Sequence, residues 1–132
     1  MALPRQACTF GFMRLEQMRM YQAAEMLVAE VDALLPRSRR ASVRSADQLE
    51  RAADSVLFNT AEGIGSFKAG LKINAYEIAR KEANEVRAIL RRQVIKKILP
   101  HKDTQQATQL AGVCVGMLTN AIKSVESRPQ PR

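Results

Sequence analysis

The run Asp47-Gln48-Leu49-Glu50-Arg51-Ala52-Ala53-Asp54-Ser55-Val56-Leu57-Phe58-Asn59-Thr60-Ala61-Glu62-Gly63-Ile64-Gly65 decides the fold class. Leu49, Ala52, Ala53, Val56 and Leu57 recur at three- and four-residue spacing, so they fall on one stripe of an α-helix. Gly63 is well placed just past the helix end, where only glycine adopts the left-handed conformation without strain, and Ile64 is placed for the accompanying apolar contact. At the front, Ser45 with Gln48 has the capping-box pattern, and a start some residues earlier fits equally well.

The same period extends in both directions. From about Met13 to Leu35 the apolar positions Met20, Tyr21, Ala24, Leu27, Val28, Val31, Leu34 and Leu35 form another stripe. Pro36 is expected to end it, leaving Arg37, Ser38, Arg39 and Arg40 as a short basic connection. A third helix is expected from about Ala69 to Leu99, stopping before Pro100, with Leu71, Ala75, Ile78, Ala79, Val86, Ile89, Leu90 and Val94 inward. Asp103 with Gln106 signals a fourth start. That helix buries Ala107, Leu110, Ala111, Cys114, Met117, Leu118, Ala121, Ile122 and Val125. No strand-period segment or Asn-Gly hairpin turn occurs, and the connections are short, so neighbouring helices should run antiparallel. The expected fold is all-α, a single antiparallel up-and-down four-helix bundle over residues 1–132. Its ordered core spans about 13–126, between a flexible N-terminal arm and the frayed tail Ser-Arg-Pro-Gln-Pro-Arg.

Composition agrees. A chain of 132 residues has the size of one domain, and only 5% of it is aromatic. Leu, Ile, Val, Ala and Met must then do most of the packing, which suits helices better than sheets. The formal net charge of +8 favours polyanionic partners such as RNA, DNA or an acidic protein surface. Cys8 and Cys114 have no metal-ligand spacing and are too few for a disulfide framework, so a reducing compartment is expected. With no signal-peptide pattern at Met1-Ala2-Leu3-Pro4-Arg5 and no membrane-length apolar run, the expected location is the cytoplasm, with no membrane contact.

Catalytic and cofactor constellations fail on spacing. Gly65 and Gly70 are separated as in a Walker motif, but Leu71 stands where lysine should follow and Lys72 where Ser or Thr should, and a helix replaces the preceding strand. A plain helix–helix turn is the better reading. His101 is the single histidine, which rules out a di-iron bundle site and leaves a general base without a nucleophile. No enzyme activity, cofactor, metal or small-molecule substrate is therefore expected. Asn59, Glu62 and Glu85 have spacings that would let them converge inside a bundle, where they are better read as satisfying buried backbone or arginine groups than as touching a ligand.

The third helix carries most of the surplus charge. Arg80, Lys81, Arg87, Arg91, Arg92, Lys96, Lys97 and Lys102 face only Glu82 and Glu85 in that stretch. Arg80, Arg87 and Arg91 share one helical face, and Lys81, Arg92 and Lys96 an adjacent one. Such a strip suits a phosphate backbone, each contact adding a salt-dependent term. A solvated face partly paired with acids of neighbouring subunits is the competing reading. Tyr76 is the helix's single aromatic, so sequence-specific readout of unstacked bases is not expected.

The central run resembles the signature Q-L-x-R-A-A-x-S-I-x-x-N-I-A-E-G-x-G-R of the four-helix-bundle proteins related to the 23S rRNA intervening-sequence proteins. Gln48, Leu49, Arg51, Ala52, Ala53, Ser55, Asn59, Ala61, Glu62, Gly63 and Gly65 fit it, and Ile78-Ala79 with Glu85 echo the family's third-helix pattern. Thr60 replaces the usual isoleucine and Ser66 the usual arginine. The resemblance covers about residues 13 to 122. It implies a four-helix bundle assembled as a ring-shaped homo-oligomer, a pentamer, and little about activity, although a related accessory protein of diversity-generating retroelements resembles these proteins in binding nucleic acid through a basic pentamer surface.

Overall fold

The computed structural model describes residues 14–129. Four helices, α1 (Leu15–Ala41), α2 (Val43–Gly65), α3 (Ala69–Ile95) and α4 (His101–Glu126), follow one another with no strand among the described residues. The expected N-terminal arm, Cys8 included, and the last three residues of the tail lie outside the described part.

Each helix packs on its neighbour in the chain, and α4 closes against α1. Along the α2–α3 seam Ser45 meets Gln93, Arg51 meets Glu85 and Gly63 meets Tyr76, so the numbering falls on α3 as it rises on α2 and the two run antiparallel. Leu27, Val31, Leu49, Val56, Val86, Leu90 and Leu118 form the centre of one apolar core. Between them sit buried alanines, among them Ala24, Ala53, Ala79, Ala83 and Ala111, whose small side chains let the helix axes approach closely. Tyr76 is the one aromatic fully buried among the described residues; Phe58 and Phe67 are exposed.

Four of the expected boundaries are displaced. Helix α1 does not stop at Pro36 but runs through it to Ala41, so Arg37 to Arg40 are helical. Proline removes one i→i−4 bond and crowds the preceding turn, at a cost of about 3 kcal/mol in a helix interior. Here Asp32 and Pro36 lie on the exposed side, while Leu34, Leu35 and Ser38 continue the buried stripe across them, and that packing offsets the loss. The connection shrinks to Ser42. Its N–H donates to the Ser38 carbonyl to close α1, and its hydroxyl accepts from the Ser45 N–H to open α2.

At the other end of α2, Gly63 lies inside the helix, which ends at Gly65 with Ser66 as its cap. Helix α3 ends at Ile95, four residues before the expected Leu99. The Lys97 N–H donates to the Val94 carbonyl at 3.0 Å and the Ile98 N–H to the Gln93 carbonyl at 2.9 Å, with Lys97 at φ 61°. This pair of bonds around a left-handed residue is a Schellman motif, and it tucks Leu99 into the core. Helix α4 then begins at His101, two residues before Asp103, whose carboxylate pairs with Arg37 at 2.6 Å.

Two further departures follow from this packing. Leu71 and Ile78, expected inward, are exposed on the flank of α3 that adjoins α2. Lys72 instead occupies the buried stripe, with 8% of its surface exposed.

Candidate functional site

Two groups of residues single themselves out: the turn that closes α2 against α3, and the charged flanks of α3.

The turn is built around Gly63. A Cβ placed there would stand 2.6 Å from Tyr76 Cδ1 and closer still to Cε1, so the bare backbone is what admits the ring. The Lys72 ammonium reaches back to donate to the carbonyls of Gly63 at 2.7 Å and Ile64 at 3.1 Å. The Ser66 hydroxyl donates to the Glu62 carbonyl at 2.8 Å. The carbonyls that a helix leaves open at its C-terminus are thus taken up one after another by side chains. Ser66, where the family pattern has arginine, serves here as a cap. Burial pulls the Lys72 pKa down from its ordinary value, with the nearby guanidinium groups of Arg128 and Arg14 adding to the effect. Burial pushes the Tyr76 hydroxyl up, against its hydrogen bond to Gln17.

The polar residues of the central run do not converge. Asn59 turns its amide onto its own helix, donating to the Ser55 carbonyl and hydroxyl, each at 3.0 Å. Glu62 and Gln48 are exposed, as is Gly65, beside which a side chain would meet open space. Only Arg51 and Glu85 meet, at 3.0 Å, with Glu82 3.5 Å from the same guanidinium. The interior ligand set that spacing allowed is therefore absent: at the helix exit these positions point outward, and the arginine contact forms on the outer flank of the α2–α3 seam.

That ion pair divides the charge of α3. Glu82 and Glu85, the two acids between Arg80 and Lys102, are drawn to the α2 side by Arg51. On the opposite flank Arg80 donates to the Thr119 hydroxyl of α4 at 3.4 Å, which sets its guanidinium at the α3–α4 seam. Arg87 and Arg91 follow further along the same face, Arg87 within 3.5 Å of Asn84 Oδ1. Lys81 and Arg92 are exposed beside them, while Lys96 and Lys97 sit on the Schellman turn and leave the helical face. Among the described residues none of these seven forms an ion pair. Arg37 and Arg39, by contrast, are engaged by Asp103 and by Asp47 and Glu50.

The described residues hold no group of three or more His, Cys, Asp or Glu side chains placed for a metal ion. His101 is exposed, its carbonyl accepting from the Thr104 hydroxyl. Cys114 is buried, which pushes its thiol up to about 11 and holds it in the unreactive protonated form at neutral pH. No helix among the described residues is long and apolar enough to cross a membrane.

The model of the family described as 23S rRNA-intervening sequence protein matches residues 16–120, which span all four helices. The chain belongs to this family. A crystal structure of a protein of unknown function from the S23 ribosomal protein family, from Bacteroides thetaiotaomicron, superposes with a TM-score of 0.74. It covers 83% of this chain and 99% of its own, at 17% identity, so the likeness is one of fold. No curated protein matches the sequence. The family's Glu-Gly-x-Gly turn, here Glu62 to Gly65, now has a physical reading in Gly63, whose missing side chain is what the Tyr76 ring requires.

Sequence reading missed Lys72 and Tyr76. Their signal was present: Lys72, Tyr76, Ala79, Ala83, Val86 and Leu90 share one helical stripe, and a lysine on a buried stripe has to find acceptors.

Proposed function

We propose that the protein is a homo-oligomeric nucleic-acid-binding module, a pentamer in the manner its family resemblance implies, that presents the α3 arginine face to a phosphate backbone. The observation that carries this reading is the segregation of charge on α3. Its acids are held toward α2 by Arg51, while Arg80, Arg87 and Arg91 stand free of carboxylates on the other flank. Repetition around a ring multiplies a modest patch into a broad cationic surface.

Self-association has its own support. Phe58, Phe67, Leu71 and Ile78 are exposed at the Phe58-to-Ile78 end of the α2–α3 seam, Phe67 completely so, a cluster of large apolar side chains that a second copy would cover. Light scattering at micromolar concentration is expected to give a multiple of the chain mass, and a monomer overturns the oligomeric part of the reading.

Filter binding of structured RNA tests the rest. Three phosphate contacts by one protomer give a log–log salt slope of about −2.7, a loss of roughly fortyfold between 50 and 200 mM salt. Replacing Arg87 and Arg91 by glutamine should flatten the slope by about two contacts. Absence of binding at low salt, or binding indifferent to salt, overturns the reading. Capture of an acidic protein that survives nuclease treatment would replace it with protein docking on the same face.

A further inference from the structure

At the end of the bundle where α1 begins, a cleft of about 480 Å³ opens between α1, α3 and α4. Arg14 and Arg19 from α1 and its cap, Lys72 from α3, and Arg128 beyond α4 line it, against the single carboxylate of Glu16. Among the described residues none of these four cations is in an ion pair. Such a concentration of like charge is unfavourable, because each cation raises the free energy of its neighbours. Burial is the first cause of the lowered Lys72 pKa, and repulsion from Arg128 and Arg14 adds to it.

Lys72 is not a loose surface lysine. It is more than nine-tenths buried, its ammonium is fixed by the carbonyls of Gly63 and Ile64, and these use two of its three N–H groups. The third is left for a group in the cleft that the residue lines. Arg14 and Arg128 bring guanidinium forks, whose paired donors match the oxygens of an oxyanion. Met20, Met117 and Val125 supply an apolar wall beside them. The volume lies in the range of small-ligand sites.

We propose that this cleft binds a phosphate group carried on a small apolar body, with Arg14, Lys72 and Arg128 holding the phosphate and Met20, Met117 and Val125 the body. A carboxylate brings one negative charge to a surplus of three positive ones, while a phosphate dianion neutralises more of it and offers three acceptor oxygens. The site is separate from the proposed nucleic-acid face: Arg87 and Arg91 lie four to five turns further along α3 than Lys72.

Calorimetry on the full chain at constant ionic strength, with inorganic phosphate and phenyl phosphate as probes above the second phosphate pKa, tests it. Saturable binding of one probe molecule per chain is expected, with phenyl phosphate tighter by about three- to tenfold through the apolar wall. Arg14→Gln and Arg128→Gln should each weaken both probes by about tenfold, since both side chains are exposed and their loss leaves the fold intact. Arg91→Gln should leave phosphate binding unchanged. No saturable binding, or binding equally strong in Arg14→Gln and Arg128→Gln, overturns the site; phenyl phosphate binding no tighter than inorganic phosphate overturns the apolar body. A chain that binds RNA with an unaltered salt slope as Arg128→Gln but loses phenyl phosphate separates this site from the arginine face, whichever of the two readings fails.

Discussion

The ring of Tyr76 occupies the space that a side chain on residue 63 would fill, and Lys72, one turn earlier on α3, donates to the Gly63 carbonyl. One glycine thus serves two partners. Its missing Cβ lets α3 approach, and its carbonyl, near the open end of α2, receives a buried ammonium. The ammonium lies 5.9 Å from the centre of the Tyr76 ring, within reach of a cation–π attraction.

Gly63→Ala separates helix propensity from packing. In a free helix the change stabilises by about 1 kcal/mol. Here the new methyl overlaps a ring that is 1% exposed and has nowhere to turn, so a loss of about 2 to 3 kcal/mol is expected in urea denaturation. Tyr76→Leu added to the Gly63→Ala variant should cost at least about 1 kcal/mol less than Tyr76→Leu in the parent chain, because the overlap is then relieved. A Gly63→Ala chain more stable than the parent would refute the packing account.

Lys97 supplies the second prediction. It sits at the left-handed position of the Schellman motif with φ 61°, where a Cβ costs about 1 to 2 kcal/mol and where glycine is the usual occupant. Lys97→Gly is expected to stabilise the protein by about 1 kcal/mol, raising Tm by a few degrees, whereas Lys97→Ala keeps the Cβ and should bring no comparable gain. Equal effects of the two changes would mean that the strain at this residue is not expressed in stability.

How far the sequence could be read follows from which signals are local. The stripes of α1, α2 and α4 depend on period alone and the structure bears them out, whereas on α3 Leu71 and Ile78 are exposed and Lys72 takes a place in the buried stripe. Boundaries failed where tertiary packing overrode a local rule. Pro36 normally stops a helix, yet Leu34, Leu35 and Ser38 hold α1 together across it. Gly63 looked like a helix end because glycine serves both left-handed turns and close approaches, and one sequence does not tell these apart. The end of α3 was hidden because its left-handed residue is a lysine. At the candidate site, spacing puts Arg80, Arg87 and Arg91 on one helical face but gives no sign that Arg51 draws Glu82 and Glu85 to the other flank, a contact 31 to 34 positions away in the chain.

That Arg51 cluster carries the third prediction, a dependence of stability on pH. Burial raises the pKa of Glu82 above its ordinary value; its hydrogen bond with the Glu85 carboxyl and the negative charge of Glu85 add to this, and Arg51 opposes it. The folded chain therefore holds the Glu82 proton more tightly than the unfolded one, in which a glutamate titrates near about pH 4.3. Below that pH both states are protonated and the contribution is fully present. As the pH rises from there through the raised folded value, the unfolded chain releases the proton first and stability is lost. Urea denaturation across this window should show the parent declining relative to Glu82→Gln, which has no proton to release at this position. Arg51→Gln should decline further than the parent, since it removes the positive charge that makes ionised Glu82 tolerable. Profiles for the parent and Glu82→Gln that run parallel would place Glu82 in a fully solvated environment, contrary to its 15% side-chain exposure.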